Sequence, residues 1–234
     1  MNRNADKDGT ELKKEAVFGL AYFLGYLGYL FVNQESESMH WLTLVIVPLI
    51  LVSVRQRKKL TLSSVQASLA TVGLQRDNLK TGIVWAILLG LALSVLQLFL
   101  SRSSDKIWQL IVSGKAMVLF PLVLVLMLLT AGFTEEFFFR GILQTRLAKL
   151  LHSTFWAVVV TSVLFGVYHL PYAYLNPNWP SQHDWEAAFS AALGQGIPAG
   201  LIFGFIYART RNNLVACIVV HSLNNVLPAM TMVK

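Results

Sequence analysis

Residues 134–141 read TEEFFFRG and follow an apolar run that begins near residue 116, so two carboxylates and a guanidinium stand where hydrocarbon is expected. On a helix Glu136 and Arg140 are four residues apart on one face, which lets them pair and offset part of each other's desolvation cost. Glu135 points about 100° away from Glu136 and cannot share that pairing fully. A carboxylate set apart from its cation in low dielectric is the kind of group that serves as a general base or acid near neutral pH. The other reading holds both acids on Arg140, or joins them through one proton, and makes them structural.

Two later segments supply partners. LFGVYHL (164–170) puts Phe165 and His169 on one helix face, and VVHSLNN (219–225) does the same for His221 and Asn225. A lone histidine in an apolar helix is more often a satisfied core residue than a catalyst; depth is what links these two. The basic turn near His152 and Ser153 lies 17 residues from both Glu135 and His169. In an antiparallel helical hairpin that equality puts the two side chains at one level, roughly 25 Å from its tip. From the next basic turn, near Arg211, His221 lies 10 residues in and Asn225 lies 14, or roughly 15 and 21 Å. All four polar groups therefore reach one layer.

A carboxylate, two imidazoles and an amide meeting inside hydrocarbon suit the addition of water to a carbonyl. Glu135 takes the proton of a water held between it and His169, while His221 and Asn225 donate to the developing oxyanion. Asn225 can polarise or orient, but it cannot take a proton. Glu135, His169 and His221 are equally a set of three ligands of the kind that holds catalytic zinc, with water in the fourth position. The sequence permits both. It has no HExxH, and the three side chains come from three helices. No serine has a His and an acid so placed. Cys217, the single cysteine, sits in an apolar stretch four residues before His221 and reads as packing, which leaves no disulfide and no CxxC site.

The elements that must position these groups are membrane helices. The chain has 234 residues, is 55% hydrophobic and 13% charged, and has a mean hydropathy of +0.57, far too apolar for a soluble domain. Apolar runs at 16–33, 41–54, 81–100, 116–139, 154–170, 187–208 and 214–232 predict an all-α bundle of about seven spans. The whole of 1–234 is expected to form one integral membrane domain, with the second run the weakest span. The fourth helix must continue through Arg146 and Lys149 for the depths to agree. The net charge of +7 comes from Lys and Arg at the ends of apolar runs, which membrane orientation explains without nucleic acid. If the runs alternate, 15 Lys and Arg fall on one side and 4 on the other, placing the N-terminus in the cytoplasm and the C-terminus outside. The first 15 residues are polar and of mixed charge, and no cleavable signal is expected.

Leu62, Val65, Leu69 and Val72 recur at helical spacing among polar residues, the pattern of an amphipathic helix on the inner leaflet. Gly196, Gly200 and Gly204 share one face and predict close helix packing. Pro48, Pro121, Pro198 and Pro228 are tolerable kinks in a bundle. The outer segment LPYAYLNPNWPSQHDWE suits an aromatic belt or a lid.

EEFFFR, FGVYH and HSLNN, in that order, resemble the EExxxR, FxxxH and HxxxN pattern of the CPBP (CAAX protease and bacteriocin-processing, Abi) family of intramembrane proteases, the group containing the type II CAAX prenyl endopeptidases. The resemblance spans Thr134 to Asn225; the N-terminal half is similar only in being helical and apolar. It implies a helical bundle with a cavity open to the cytoplasm and peptide-bond hydrolysis. Glu135 and His169 are then the water activators, His221 and Asn225 the oxyanion partners, and Glu136, Arg140 and Phe165 the supports. Family members are described as metalloproteases and as glutamate proteases. Because Asn225 is a poor zinc ligand and a good oxyanion donor, the glutamate type without cofactor is favoured, with zinc on Glu135, His169 and His221 the alternative. The implied partners are the bilayer and a peptide or membrane-protein substrate, not necessarily prenylated, at a bacterial cytoplasmic membrane. The bacterial family is linked to pheromone processing, regulated cleavage and bacteriocin self-immunity. A non-catalytic scaffold or immunity protein is the competing function, and a proton-relay transporter a third; no inverted repeat of hydropathy supports the last.

Overall fold

Long runs of Leu, Ile, Val and Ala satisfy their backbone polar groups internally only as helices when water is excluded, and helix is what the chain forms. The computed structural model describes residues 3–33, 39–55, 69–74, 78–101, 103–177, 179 and 181–233. Among them 85% are helical and there is no strand. Helix α1 is Arg3–Val32. Helix α2 opens as a π turn, Trp41–Ile46, and continues as Val47–Arg55. Helices α3 (Leu79–Leu100) and the short α4 (Ser104–Val112) follow. Helix α5 runs over Ala116–Leu150 in four pieces, and α6 covers Thr154–Tyr168 and Leu170–Leu175. Helices α7 (Trp185–Arg209) and α8 (Leu214–Met230) complete the bundle.

Each of the seven apolar runs is a helix, and among the described residues five segments are long and apolar enough to cross a membrane: Lys13–Val32, Leu79–Leu100, Ala116–Leu150, Thr154–Leu175 and Trp185–Arg209. Helix α8 has 17 residues, or roughly 25 Å against a hydrocarbon core of about 30 Å. It packs between α3, α5 and α7. The continuation of α5 to Leu150 is present.

Both turns used to gauge depth form where the sequence puts them. His152 takes a positive φ of 50°, and the Ser153 side chain accepts from the backbone of Trp156 to start α6. Arg211 and Asn212 have φ of 56° and 60°, after which Asn213 caps α8 through the backbone of Val215. The charge count needs one correction. Arg140 and Arg146, two of the 15 cations counted on the cytoplasmic side, are buried and paired with Glu136 and Glu15. Lys149, next along the same helix, remains outside the core.

Of the amphipathic segment, Leu62 and Val65 lie outside the described residues. Its end does not stay on the surface: Val72 is buried against Gly141, and Leu214 donates its backbone N–H to the Gly73 carbonyl at 2.9 Å. The loop between α6 and α7 is tied at its ends. Tyr174 stacks on Trp185 at 3.9 Å, His183 donates its backbone N–H to the Tyr174 carbonyl, and Ser181 bonds the Ala173 carbonyl.

The glycine face of α7 packs as expected. A Cβ on Gly196 would lie 2.8 Å from the Gly166 Cα, and one on Gly200 would lie 2.9 Å from the Ser162 Cα. Backbone cannot yield as a side-chain tip does, so Gly200→Ala should destabilise the protein by about 1–3 kcal/mol in detergent unfolding. Gly28→Ala, on a helix face with open space around it, should stay within about 1 kcal/mol of the parent.

Candidate active site

Helix α5 is interrupted at Thr130, with φ −103° and ψ −108°. The interruption turns the Leu129 carbonyl toward α2, where it accepts from the Trp41 indole at 2.9 Å. Gly132 follows, and any Cβ there would collide with the Ser222 hydroxyl and the Met127 carbonyl. That missing side chain lets α8 come against the segment Ala131–Glu136, which carries both acids. The helix then widens into a π-helical stretch, Phe137–Gln144, every residue of which is buried. Such stretches recur at functional sites, and this one sits at the centre of the bundle.

Glu136 is the hub of the buried polar group. Its Oε1 accepts from Arg140 Nη1 at 2.8 Å and from His221 Nδ1 at 2.7 Å. Arg140 also donates from Nη2 to the Gly200 carbonyl at 3.1 Å, and its guanidinium lies 4.5 Å over the Phe165 ring. Phe203 stacks on the His221 imidazole at 4.7 Å and 20°. Charges so far from water persist only when paired and hydrogen-bonded, as these are.

His169 is aimed by a break in α6. The backbone N–H of His169 bonds the Gly166 carbonyl at 3.1 Å instead of the carbonyl four residues back. Pro171, at the second position of Leu170–Leu175, supports the break because it has no N–H. The Phe165 carbonyl so released accepts from His169 Nδ1 at 2.7 Å. A carbonyl can only accept, so Nδ1 carries the proton. In His221 the Nδ1 likewise faces an acceptor, a carboxylate already engaged by Arg140. The Nε2 atoms of both rings face Glu135, whose Oε2 lies 3.9 Å from that of His169 and 3.8 Å from that of His221.

Glu135, His169 and His221 thus converge, with Glu136, Arg140 and Phe165 behind them. Asn225 lies one turn beyond His221 on α8, half-buried, with its Oδ1 accepting from Asn224 at 2.8 Å. That bond leaves the Asn225 amide group as a donor. His169 is the most exposed of the three, its side chain at 23% against 8% for Glu135 and 2% for His221. Sequence reasoning did not find the Glu136–His221 hydrogen bond, the Gly200 carbonyl or Phe203. The first joins residues 85 apart, and the last two come from a helix that reads as packing alone.

The donor types suit zinc: each imidazole is anchored at Nδ1 and directs Nε2 inward, as in ligating histidines. The spacing is less suited. Ligands at about 2.0 Å around a tetrahedral zinc stand about 3.3 Å apart, and among the described residues no three His, Cys, Asp or Glu side chains close to a metal-holding geometry. As arranged, the three residues do not form a closed zinc site.

Residues 117–227 match the family described as Type II CAAX prenyl endopeptidase Rce1-like. No curated protein and no solved structure matches the chain at a significant level. The matched segment begins at the head of α5 and ends inside α8, enclosing every residue of the convergent group, and over that segment the chain is similar to the CAAX-type proteases of the CPBP family.

Proposed function

We propose that the protein is an intramembrane endopeptidase that hydrolyses peptide bonds of membrane-associated peptides or proteins, with Glu135 as the base. The observation that carries this reading is the approach of Glu135 Oε2 to two imidazole Nε2 atoms, at 3.8 and 3.9 Å, in a bundle interior. Those separations are too long for direct hydrogen bonds and suited to one bridging water. Glu135 and His169 hold and orient the water; Glu135 takes its proton as oxygen attacks the carbonyl carbon, then returns it to the leaving amine. His221 and the Asn225 amide stabilise the oxyanion. With Nδ1–H held by Glu136, His221 can donate from Nε2 only as the imidazolium. Glu136 and Arg140 together support that form: their charges cancel, while the carboxylate oxygen stays on Nδ1. Counting Glu135 as carboxylate, the four ionised groups then sum to zero before water attacks.

The same reading sets the protein as a multi-pass component of a cell membrane, bacterial and with the N-terminus in the cytoplasm. The cationic excess near the inner turns supports that orientation even without Arg140 and Arg146. The whole chain 1–234 acts as one domain. The deciding experiment is cleavage of a membrane-peptide library by purified protein in detergent, with and without a strong chelator, alongside metal analysis. Activity that resists chelation in metal-free protein supports the glutamate mechanism. Activity lost to chelator and restored by zinc replaces it with Glu135, His169 and His221 as ligands. Absence of cleavage with every substrate, together with peptide binding, returns the non-catalytic scaffold.

A further inference from the structure

A second polar array lies beside the site and belongs to none of the motifs. His40, at the head of α2, is 6% exposed, and its Nε2 lies 2.8 Å from the Tyr172 hydroxyl on α6. Burial lowers the His40 imidazole to about 4, so the ring is neutral and has one N–H. Its Nδ1 has no hydrogen-bond partner among the described residues. A buried N–H without a partner is costlier than a bare lone pair, so the proton belongs on Nε2, donated to Tyr172. Tyr168 donates to the same phenolic oxygen at 3.5 Å, the outer limit of a hydrogen bond. The Tyr168 ring meets His169 edge-on at 5.0 Å.

Tyr172 sits on Leu170–Leu175, the arm of α6 beyond the break at His169. His169 keeps its Nδ1–H on the Phe165 carbonyl only while that arm holds its angle, because the break is what frees the carbonyl. We infer that His40 is a positioning residue that braces the broken arm of α6 through Tyr172 and thereby fixes the tautomer and direction of His169. The inference rests on the proposed protease mechanism for its kinetic consequence, but not for its structural one.

The test is nitrogen NMR of histidine-labelled protein in micelles, with peptide cleavage measured on the same samples. The five histidines are assigned by single substitutions. In the parent, His169 should show only the Nδ1–H form. In folded His40→Ala, the Nε2–H form of His169 should appear at roughly a third or more, and kcat should fall about tenfold or more with KM within twofold, since about 1 Å of misplacement costs up to 10²-fold. His40→Gln, which retains a donor at similar reach, should restore the His169 signal and kcat to within about threefold. Thr43→Val removes the Thr43–Tyr26 hydroxyl bond elsewhere on α2 and should leave the His169 signal unchanged. An unaltered His169 signal in His40→Ala, or an equal change in Thr43→Val, overturns the inference. If the parent cleaves nothing, the protease reading fails and the NMR still decides this one.

Discussion

Glu135→Gln should lower kcat for peptide cleavage by about 10³-fold, within the 10²–10⁴ range of general-base catalysis, with KM changed less than about threefold. The amide has the shape of the carboxylate and keeps an oxygen toward the imidazoles, but it cannot accept a proton from water. The fold should survive, because Glu135 is not the acid that holds Arg140; Glu136 does that at 2.8 Å. His169→Ala should fall by a similar factor, and the double variant by little more than either single one, since both act on one water. A Glu135→Gln protein with more than a tenth of the parent kcat would exclude the carboxylate as base. Retained biological function in cleavage-dead Glu135→Gln would favour a scaffold or immunity role.

Much of the site was legible because its logic is one of depth. Equal counts from His152 to Glu135 and His169 required only straight antiparallel helices, and the structure brings their side chains to 3.9 Å. Spacing of four also reported the Glu136–Arg140 pair correctly. What spacing could not report was how deep a cation lies. Arg146 follows an apolar run and precedes a turn, which is how a surface charge looks in sequence; it is buried because Glu15 meets it. Partners 131 residues apart leave no local signal. The π-helical stretch was equally silent: FFFRGILQ has no residue that forbids an ordinary α-helix. At α8 apolar composition indicates a span, while the helix, at 17 residues, lies at the short end of the lengths that cross a bilayer. His40 was passed over because it lies just outside an apolar run, far in sequence from Tyr172.

Arg140→Met should cost about 3–5 kcal/mol of stability, the range for breaking a buried ion pair by removing one partner. Glu136 would keep its contact with His221 but lose the guanidinium, and the Gly200 carbonyl would lose its Arg140 donor. Arg140→Lys should recover little, because an ammonium cannot hold the carboxylate and the carbonyl in one planar fork or lie flat over Phe165. Removing the charge on both sides separates structure from chemistry. Glu136→Gln/Arg140→Met leaves no unpaired ion, so it should regain at least about half the stability lost in Arg140→Met, a coupling of the size seen for contacting charged residues. It should not regain activity. A glutamine opposite His221 Nδ1 can accept its hydrogen bond but supplies no negative charge to support an imidazolium, and the oxyanion then loses its charged donor, at about 10²–10³-fold in kcat. A double variant that recovered kcat along with stability would show that Glu136 and Arg140 only hold the bundle together. Stability without activity would show instead that His221 needs the Glu136 carboxylate at its Nδ1.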